Sequence, residues 1–298
     1  MDRIAAFSPA VRTLEESVNR ARLVEKYGYE SLWTTQLPTA RDATLVLAAY
    51  ASATQRVKLG TGVLPIYTRH PTAMVQMAAT LDELSGGRFI LGLGVSHRVT
   101  VEGMWGLQLV SPVEAMREYL TIVRSSVRDG ACSFEGKYFT AQWSYLGPRR
   151  EDMPILISAL NPRMLELAGE LADGVVLYMC APRFIEEHVM PYLKTGRERS
   201  GRSMDGFEIV AAVDACVTSD RGAALETYQK TLDRYAALPF YRRAMEAGGF
   251  NADVLAAIGH AQEVRDAIAR YREVGVTLPG VGPFAGRFEE TIAAAAEA

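Results

Sequence analysis

The sequence predicts an α/β protein, a closed (β/α)8 TIM barrel with a small insertion and extra helices. Short apolar segments alternate with segments of helical periodicity along nearly the whole chain, and this alternation is typical of a parallel sheet. Eight such strands fit a closed barrel better than an open doubly wound sheet. No linker rich in Ser, Gly or Pro divides the 298 residues, so we expect 1–298 to form a single domain.

The first half of the chain carries four predicted strands with helices between them. The strands are expected at 3–7, 30–35, 58–64 and 89–94, the last ending in Ser96-His97. Helices are expected at 11–27, stopped by Gly28, at 40–54, and from Pro71 to the Gly86-Gly87 pair. The strand–helix–strand unit around Pro71 has the length of a right-handed parallel crossover.

The second half repeats this alternation, with one interruption. Pro112 begins a helix, and the aromatic, Gly-bearing segment 131–150 is expected to be a hairpin or a loop excursion. Strands are predicted at 154–160, 174–180, 207–218 and 275–282, and helices begin at Asn161-Pro162 and at Pro182. Helices are expected to fill 220 to about 274, and the Ala-rich C-terminal segment is also predicted to be helical.

Composition excludes several classes of function. The net charge is -3 and no Lys/Arg run exceeds a pair, so we expect no nucleic-acid partner. No apolar run approaches the ~18 residues of a membrane span, and the first residues lack the regions of a signal peptide. The three isolated cysteines indicate a reducing, cytoplasmic location. The four histidines lie far apart, so no metal site is expected.

His97 is the best single candidate for chemistry. It follows the fourth strand, and barrel enzymes place catalytic groups at the carboxyl ends of strands. Its imidazole titrates near neutral pH, although the ring could instead hold the loop through a backbone hydrogen bond. His70 precedes Pro71 at a helix start, which indicates a structural role. Gly92 and Gly94 form half of a dinucleotide fingerprint; close packing inside a barrel strand is the alternative interpretation.

Four segments carry a family resemblance: SLWTTQ (31–36), LGTGVLPIYTRHP (59–71), LDELSGGRFILGLGVSHR (81–98) and ISALNPRMLELAGELADGVV (157–176). With them the chain resembles the luciferase-like flavin- or deazaflavin-dependent oxidoreductases. More specifically, it resembles the actinobacterial branch that uses coenzyme F420, a 5-deazaflavin. The resemblance implies a cofactor at the C-terminal mouth of the barrel.

The resemblance also implies which residues contact that cofactor. The bond Gly62-Val63 matches a non-proline cis peptide that supports the central deazaflavin ring in the family. The ends of two later strands and the helix N-termini after them match a site for the tail phosphate, to which Arg183 could add a charge. The implied cofactor-binding residues are Thr35, Gln36, Gly62, Val63, Pro65, Ser96, His97, Ala159, Leu160, Met179 and Cys180.

The resemblance implies hydride transfer between the reduced deazaflavin and an activated C=C, C=N or C=O bond of a small organic substrate. His97 is the expected proton donor, and Gln36 is expected to orient the substrate or the ring. The aromatic residues that could wall the pocket are Trp33, Tyr67, Trp105 and Tyr178, and core or rim packing is an equally good account of each. Two alternatives stay open: an FMN-dependent monooxygenase of the same fold, and a non-catalytic cofactor-binding barrel.

Departures from the family pattern qualify these expectations. Relatives often carry Asp-His where Thr35-Gln36 stands, and some sugar-phosphate dehydrogenases carry Glu at the position of His97, so we do not expect glucose-6-phosphate oxidation. Family members are commonly dimers. The apolar segment 44–53 is therefore a candidate homodimer interface, and a buried core helix is an equally good account of it.

Overall fold

Within residues 3–10 and 12–297, which the computed structural model describes, eight parallel strands close into a barrel. The strands of the structure are β1 (Ala5–Phe7), β2 (Ser31–Thr34), β3 (Lys58–Thr61), β4 (Leu64–Pro65), β5 (Phe89–Gly94), β6 (Ala131–Glu135), β7 (Thr140–Ser144), β8 (Ile155–Ser158), β9 (Gly174–Tyr178), β10 (Glu208–Val217), β11 (Ala256–Gly259) and β12 (Leu278–Pro283). Around the barrel the order is β1-β2-β3-β5-β8-β9-β10-β12, and β12 pairs with β1 to close it. Each of the eight predicted strands therefore has its counterpart in the barrel, and the predicted fold class is confirmed.

Helices cover the outside of the barrel between successive strands. They are α1 (Leu14–Lys26), α2 (Ala43–Ala53), α3 (Pro71–Leu84), α4 (Pro112–Asp129), α5 (Pro162–Leu171), α6 (Pro182–Phe184), α7 (Met190–Arg199), α8 (Arg221–Ala236), α9 (Pro239–Gly248), α10 (Ala252–Leu255), α11 (Ala261–Glu273) and α12 (Phe288–Ala295). Single π-helical turns occupy Val99–Met104 and Ile185–Val189. The predicted start of the first helix at Val11 lies outside the described residues. No helix in the described part of the chain is both long and apolar enough to cross a membrane.

Local sequence signals account for several helix starts. Pro71 and Pro162 occupy the first turn, where the missing N–H costs nothing. The Asn161 side chain accepts a hydrogen bond from the backbone N–H of Met164 at 3.1 Å. His70 caps α3, and its Nε2 lies 3.1 Å from the carbonyl oxygen of Thr140 in the hairpin. The structural role predicted for His70 is confirmed.

Two regions complete the architecture. β6 and β7 form an antiparallel hairpin in the segment expected to be a hairpin or loop. The expectation of continuous helices from 220 to about 274 was wrong at Ala256–Gly259, because β11 lies there and pairs in parallel with the far end of β10. The strand β10 is long enough to pair with β9, β12 and β11 at successive positions. Tertiary pairing thus overrides the local helix preference of alanine.

Two aromatic side chains fill the barrel interior. The rings of Phe7 and Trp33 stack with centroids 5.9 Å apart and an interplanar angle of 16°. Glycines on the surrounding strands make room for them, since a Cβ on Gly60 would lie 2.5 Å from the Trp33 ring and one on Gly62 would lie 2.8 Å from Phe7. A Cβ on Gly280 would collide with the opposite edge of Phe7. Trp33 is completely buried, so it lies beneath the mouth.

Candidate active site

Unusual backbone geometry concentrates at the carboxyl ends of the barrel strands. Ser96 follows β5 with φ 58°, Met179 follows β9 with φ 55°, and Ala285 follows β12 with φ 53°. Residues other than glycine rarely adopt this left-handed region, and such conformations cluster at functional sites. The C-terminal mouth is therefore the candidate active site, in agreement with the general rule for this architecture.

A side-chain bridge joins β3 to β5 just below the mouth. The Thr61 hydroxyl donates to the carbonyl oxygen of Gly92 at 2.8 Å and accepts from the N–H of Gly92 at 2.7 Å. The next peptide bond, Gly62-Val63, is cis, as the resemblance implies. A Cβ on Gly94 would lie 2.6 Å from a methyl of Val63, and one on Gly92 would collide with the carbonyl of Thr61. Close packing between neighbouring strands thus explains the glycines at 92 and 94, and that interpretation of the two glycines is confirmed.

His97 lies half-buried at the end of β5. Its ring centroid is 5.6 Å from that of Tyr241 on α9, so the contact links β5 to that helix across the mouth. Burial lowers the pKa of His97 below its ordinary value of 6.5. The imidazole is therefore neutral at neutral pH, with one N–H donor and one acceptor nitrogen. Its proton-donor role stays a prediction.

The side chain of Gln36 closes the loop between β2 and α2. Its amide oxygen accepts from the backbone N–H of Ala43 at 2.9 Å, and its amide nitrogen donates to the carbonyl of Leu37 at 3.3 Å. Thr35 lies beside it, half-buried, at the end of β2. Gln36 thus holds the loop in this structure, and its predicted role in orienting the substrate stays a prediction.

The barrel order brings all the predicted cofactor residues to one arc of the mouth. Because β2, β3, β5, β8 and β9 are consecutive neighbours, the residues at their ends lie side by side. These residues are Thr35, Gln36, Gly62, Val63, Pro65, Ser96, His97, Ala159, Leu160, Met179 and Cys180. The structure therefore places all of them at the end of the barrel where the cofactor was expected.

The part of this arc expected to hold a phosphate is largely apolar. Ala159, Met179 and Cys180 are buried, and burial raises the pKa of the Cys180 thiol to about 12. Arg183 is exposed and lies 3.0 Å from Glu187, with which it forms an ion pair. The charge that Arg183 was expected to add is thus neutralised on its own helical turn. Backbone N–H groups are the remaining donors for an anion there.

Sequence reasoning missed an acidic residue at the mouth. Asp214 lies on β10 at the same inward face as Val210 and Ala212, which pack in the barrel interior. The Tyr178 hydroxyl donates to Asp214 Oδ2 at 2.8 Å. Burial raises the pKa of Asp214 to about 6, although hydrogen bonds from Tyr178 and Tyr228 act to lower it. The available signal was a single carboxylate at an inward position of an otherwise apolar strand.

The helices after β10 fold over this side of the mouth. They carry Tyr235 on α8 and Tyr241 on α9, and the sequence analysis named neither residue. The Tyr178 ring lies 5.0 Å from that of Tyr235 and 6.3 Å from that of Tyr241, measured between centroids. Tyr178 was a predicted wall residue, and it lies at the mouth.

The other predicted wall residues have different surroundings. Tyr67 is half-buried, and its hydroxyl has no hydrogen-bond partner within the part of the chain that the structure describes. Trp105 is half-buried where the π-helical turn after His97 ends. Trp33, in contrast, is enclosed in the barrel interior. Across residues 3–10 and 12–297, no group of three or more His, Cys, Asp or Glu side chains could hold a metal ion.

Comparison with known proteins gives concordant matches. The family pattern described as luciferase-like monooxygenase matches residues 2–278. A putative coenzyme F420-dependent oxidoreductase of Mycobacterium tuberculosis is 34% identical over 273 residues, which are 85% of this chain and 77% of that protein. A 5,10-methylenetetrahydromethanopterin reductase of Archaeoglobus fulgidus is 33% identical over 203 residues, which are 68% of this chain and 60% of that protein.

Solved structures share the fold over nearly the whole chain. The coenzyme F420-dependent tetrahydromethanopterin reductase from Methanopyrus kandleri superposes with a TM-score of 0.83 at 24% identity, covering 99% of this chain and 97% of that one. An F420-dependent secondary alcohol dehydrogenase, in complex with an F420-acetone adduct, gives 0.85 at 20% identity, covering 100% and 98%. At these identities the likeness shows a common barrel.

Proposed function

The chain belongs to the luciferase-like monooxygenase family, and we propose that it is a coenzyme F420-dependent oxidoreductase within that family. The observation that carries the proposal is the 34% identity to the mycobacterial F420-dependent oxidoreductase over 85% of this chain. The positions of the implied cofactor residues along one arc of the mouth support it. We further propose that a small organic substrate with an activated C=C, C=N or C=O bond is reduced.

The side chains of the arc fit a flat, neutral ring system. Val63 is half-buried beside Gly94, which has no side chain. This part of the bottom of the mouth is therefore apolar, and no side chain of Gly94 rises above it. Half-buried hydroxyls of Ser96 and Ser158 at neighbouring strand ends can serve the polar edge of a ring. A bound deazaflavin would supply the hydride. The buried ends of β8 and β9 would hold its tail through backbone N–H groups.

His97 is the residue we assign to proton transfer. As a neutral imidazole it can hydrogen-bond to the substrate atom that receives negative charge and then give it a proton. Its lowered pKa keeps the ring uncharged before the reaction, so the proton that it gives is the neutral ring N–H, and the ring regains a proton from solvent afterwards. The contact with Tyr241 positions the ring over the mouth. The helices α8 and α9 help to exclude water from that side.

Cofactor binding is the direct test. The purified protein is titrated with oxidised F420 and separately with FMN, followed by calorimetry or fluorescence. We expect micromolar or tighter binding of F420 and weaker binding of FMN. Tighter binding of FMN would move the protein to the monooxygenase alternative, and no binding of either would contradict the proposal.

A matched pair of glycine variants locates the binding surface. Gly94→Ala places a Cβ 2.6 Å from both Ser158 Oγ and a Val63 methyl, so it should weaken F420 binding. Gly222→Ala on α8 is the control, because its Cβ would come no closer than 3.7 Å to Asp220. Equal affinities in the two variants would show that the cofactor binds elsewhere.

The role of His97 is tested by turnover. With an acceptor identified from a panel of activated C=C, C=N and C=O compounds, His97→Ala should lower kcat about a hundredfold. The Kd for F420 is measured in the same variant, because His97 is also an implied cofactor-binding residue, so that lost binding is separated from lost proton transfer. A kcat within a few-fold of the parent would exclude His97 as the proton donor.

Two further expectations remain proposals. We propose a homodimer, to be measured by light scattering, but most of α2 is buried within the chain, and Leu45 is its one exposed large apolar side chain, at 72%. This burial favours the interpretation of the apolar segment 44–53 as a buried core helix over its interpretation as a dimer interface. We also propose a cytoplasmic location, which fits the three unpaired thiols of Cys132, Cys180 and Cys216.

A further inference from the structure

A carboxylate stands among aromatic rings on β10, beside the end of the apolar arc at β9. We infer that the substrate carries a cationic nitrogen group, an amine or iminium, held by Asp214 and by the tyrosine cluster of Tyr178, Tyr235 and Tyr241. This inference rests on the proposed function, since it names the substrate class of the same site. It selects the C=N bond, or an amine elsewhere in the substrate, from the acceptors considered above.

The position of Asp214 makes it available to a ligand in the mouth. It pairs in register with Gly282 on β12, and a Cβ at Gly282 would lie only 3.1 Å from Asp214 Oδ1. The missing side chain at Gly282 thus leaves space in which the carboxylate lies. Tyr178 orients it by donating to the other oxygen at 2.8 Å. Asp214 is half-buried and keeps contact with solvent.

The carboxylate has no counter-charge within the part of the chain that the structure describes. No Lys, Arg or His side chain of residues 3–10 or 12–297 forms an ion pair with Asp214. Arg287, whose charge reaches Cys216 two residues further along β10, is paired with Glu290 at 3.4 Å. Burial of an ionised carboxylate without a partner is unfavourable, so a cationic ligand would stabilise it.

The tyrosine cluster supplies the second half of a cation site. Its ring centroids are 4.9 to 6.3 Å apart, and the rings meet edge to face at 76° to 79°. All three residues are half-buried, so parts of them stay accessible beyond the cluster against which they pack. The faces of electron-rich rings attract ammonium-type groups, and a carboxylate beside them adds direct charge attraction. A neutral or anionic substrate would leave Asp214 with its tyrosine hydrogen bonds but without a counter-ion.

The geometry also connects this subsite to the proposed proton donor. The His97 ring lies 5.6 Å from Tyr241, and Tyr241 lies 4.9 Å from Tyr235. Burial lowers the pKa of His97, so the imidazole adds no positive charge that would repel a cation. A nitrogen held by the tyrosine cluster therefore lies next to the group that we assign to proton transfer.

A pair of matched probes tests the inference on the purified protein without cofactor. Benzylammonium and benzyl alcohol have similar size and differ in charge, and their dissociation constants are measured by NMR titration near neutral pH. We expect benzylammonium to bind about tenfold more tightly. Asp214→Asn should abolish this preference, whereas Asp233→Asn, which removes an exposed carboxylate of α8, should retain it.

Two further variants separate charge from folding. Tyr178→Phe keeps the ring and removes only the hydroxyl, so the preference should persist. Tyr241→Leu removes a ring without touching the carboxylate and should weaken benzylammonium more than benzyl alcohol. It also keeps the inference testable if Asp214→Asn does not fold. Equal affinities of the parent for the two probes, or a preference that survives in folded Asp214→Asn, would overturn the inference.

The outcome is distinguishable from failure of the proposed function. F420 is titrated into the parent protein in parallel. Binding of F420 together with no preference for the cation would overturn only the substrate class. A clear preference for the cation together with no binding of F420 or FMN would overturn the proposed cofactor chemistry and leave a cation-binding mouth.

Discussion

Replacement of Thr61 by valine tests how the barrel is held together just below the mouth. The hydroxyl of Thr61 makes two hydrogen bonds to the backbone of Gly92, one as donor and one as acceptor. Thr61 is completely buried, and the regular pairing of β3 with β5 extends only to Gly60 opposite Ile90. The side chain therefore replaces a backbone ladder where the two strands separate.

The magnitude follows from the two groups that Thr61→Val would leave unsatisfied. Valine has nearly the same shape, so the packing volume is retained and the hydrogen bonds are lost. A buried donor or acceptor without a partner costs about 1–3 kcal/mol, and carbonyl oxygens tolerate the loss better than N–H groups. We therefore expect the free energy of unfolding to fall by about 2–4 kcal/mol.

Urea unfolding followed by circular dichroism measures this change. Thr61→Ser is the matched control, because it keeps the hydroxyl and should stay within about 1 kcal/mol of the parent. A valine variant as stable as the parent would refute the reasoning. A serine variant as unstable as the valine variant would show that the methyl group contributes as much to stability as the hydrogen-bonded bridge.

Three other predictions follow from named contacts. Asp82→Ala breaks the buried ion pair with Arg150 at 2.8 Å and should cost about 3 kcal/mol in urea unfolding, whereas no measurable loss would show that the pair adds nothing. Burial lowers the pKa of His97 in the folded protein, so as pH falls below 6.5 the unfolded chain takes up this proton first and the free energy of unfolding declines. His97→Gln should reduce that decline. An unchanged dependence of stability on pH would contradict the lowered pKa of His97. Glu118 accepts three backbone N–H bonds from residues 137–139 at 2.7–2.9 Å, and Glu118→Gln should speed hydrogen exchange of those amides while the barrel amides stay protected.

The barrel was predictable because its signals are local. The apolar run at Phe89–Gly94 and the prolines at helix starts such as Pro71 and Pro162 mark elements within a few residues. The strand β11 was not predictable in the same way. Its two alanines, Ala256 and Ala257, favour a helix, and the segment forms a strand because the end of β10 offers it a partner.

The residues of the candidate site likewise differ in whether local sequence indicates them. His97 stands directly after a strand, where the chain itself indicates the mouth. Asp214, Tyr235 and Tyr241 come together only through the folding of α8 and α9 over β10, and no spacing in the sequence indicates that contact. The engagement of Gln36 with the backbone of its own loop likewise depends on how that loop closes.

The stacked rings of Phe7 and Trp33 limit the side-chain volume that several neighbouring positions can hold. Because Gly60, Gly62 and Gly280 each border one of these rings, a side chain can be added at those positions only if a ring becomes smaller. A library that varies these positions singly would recover mostly the parent residues. Joint variation, for example Trp33→Leu with Gly60→Ala, exchanges volume between neighbouring strands and offers a way to deepen the floor of the mouth without opening the barrel.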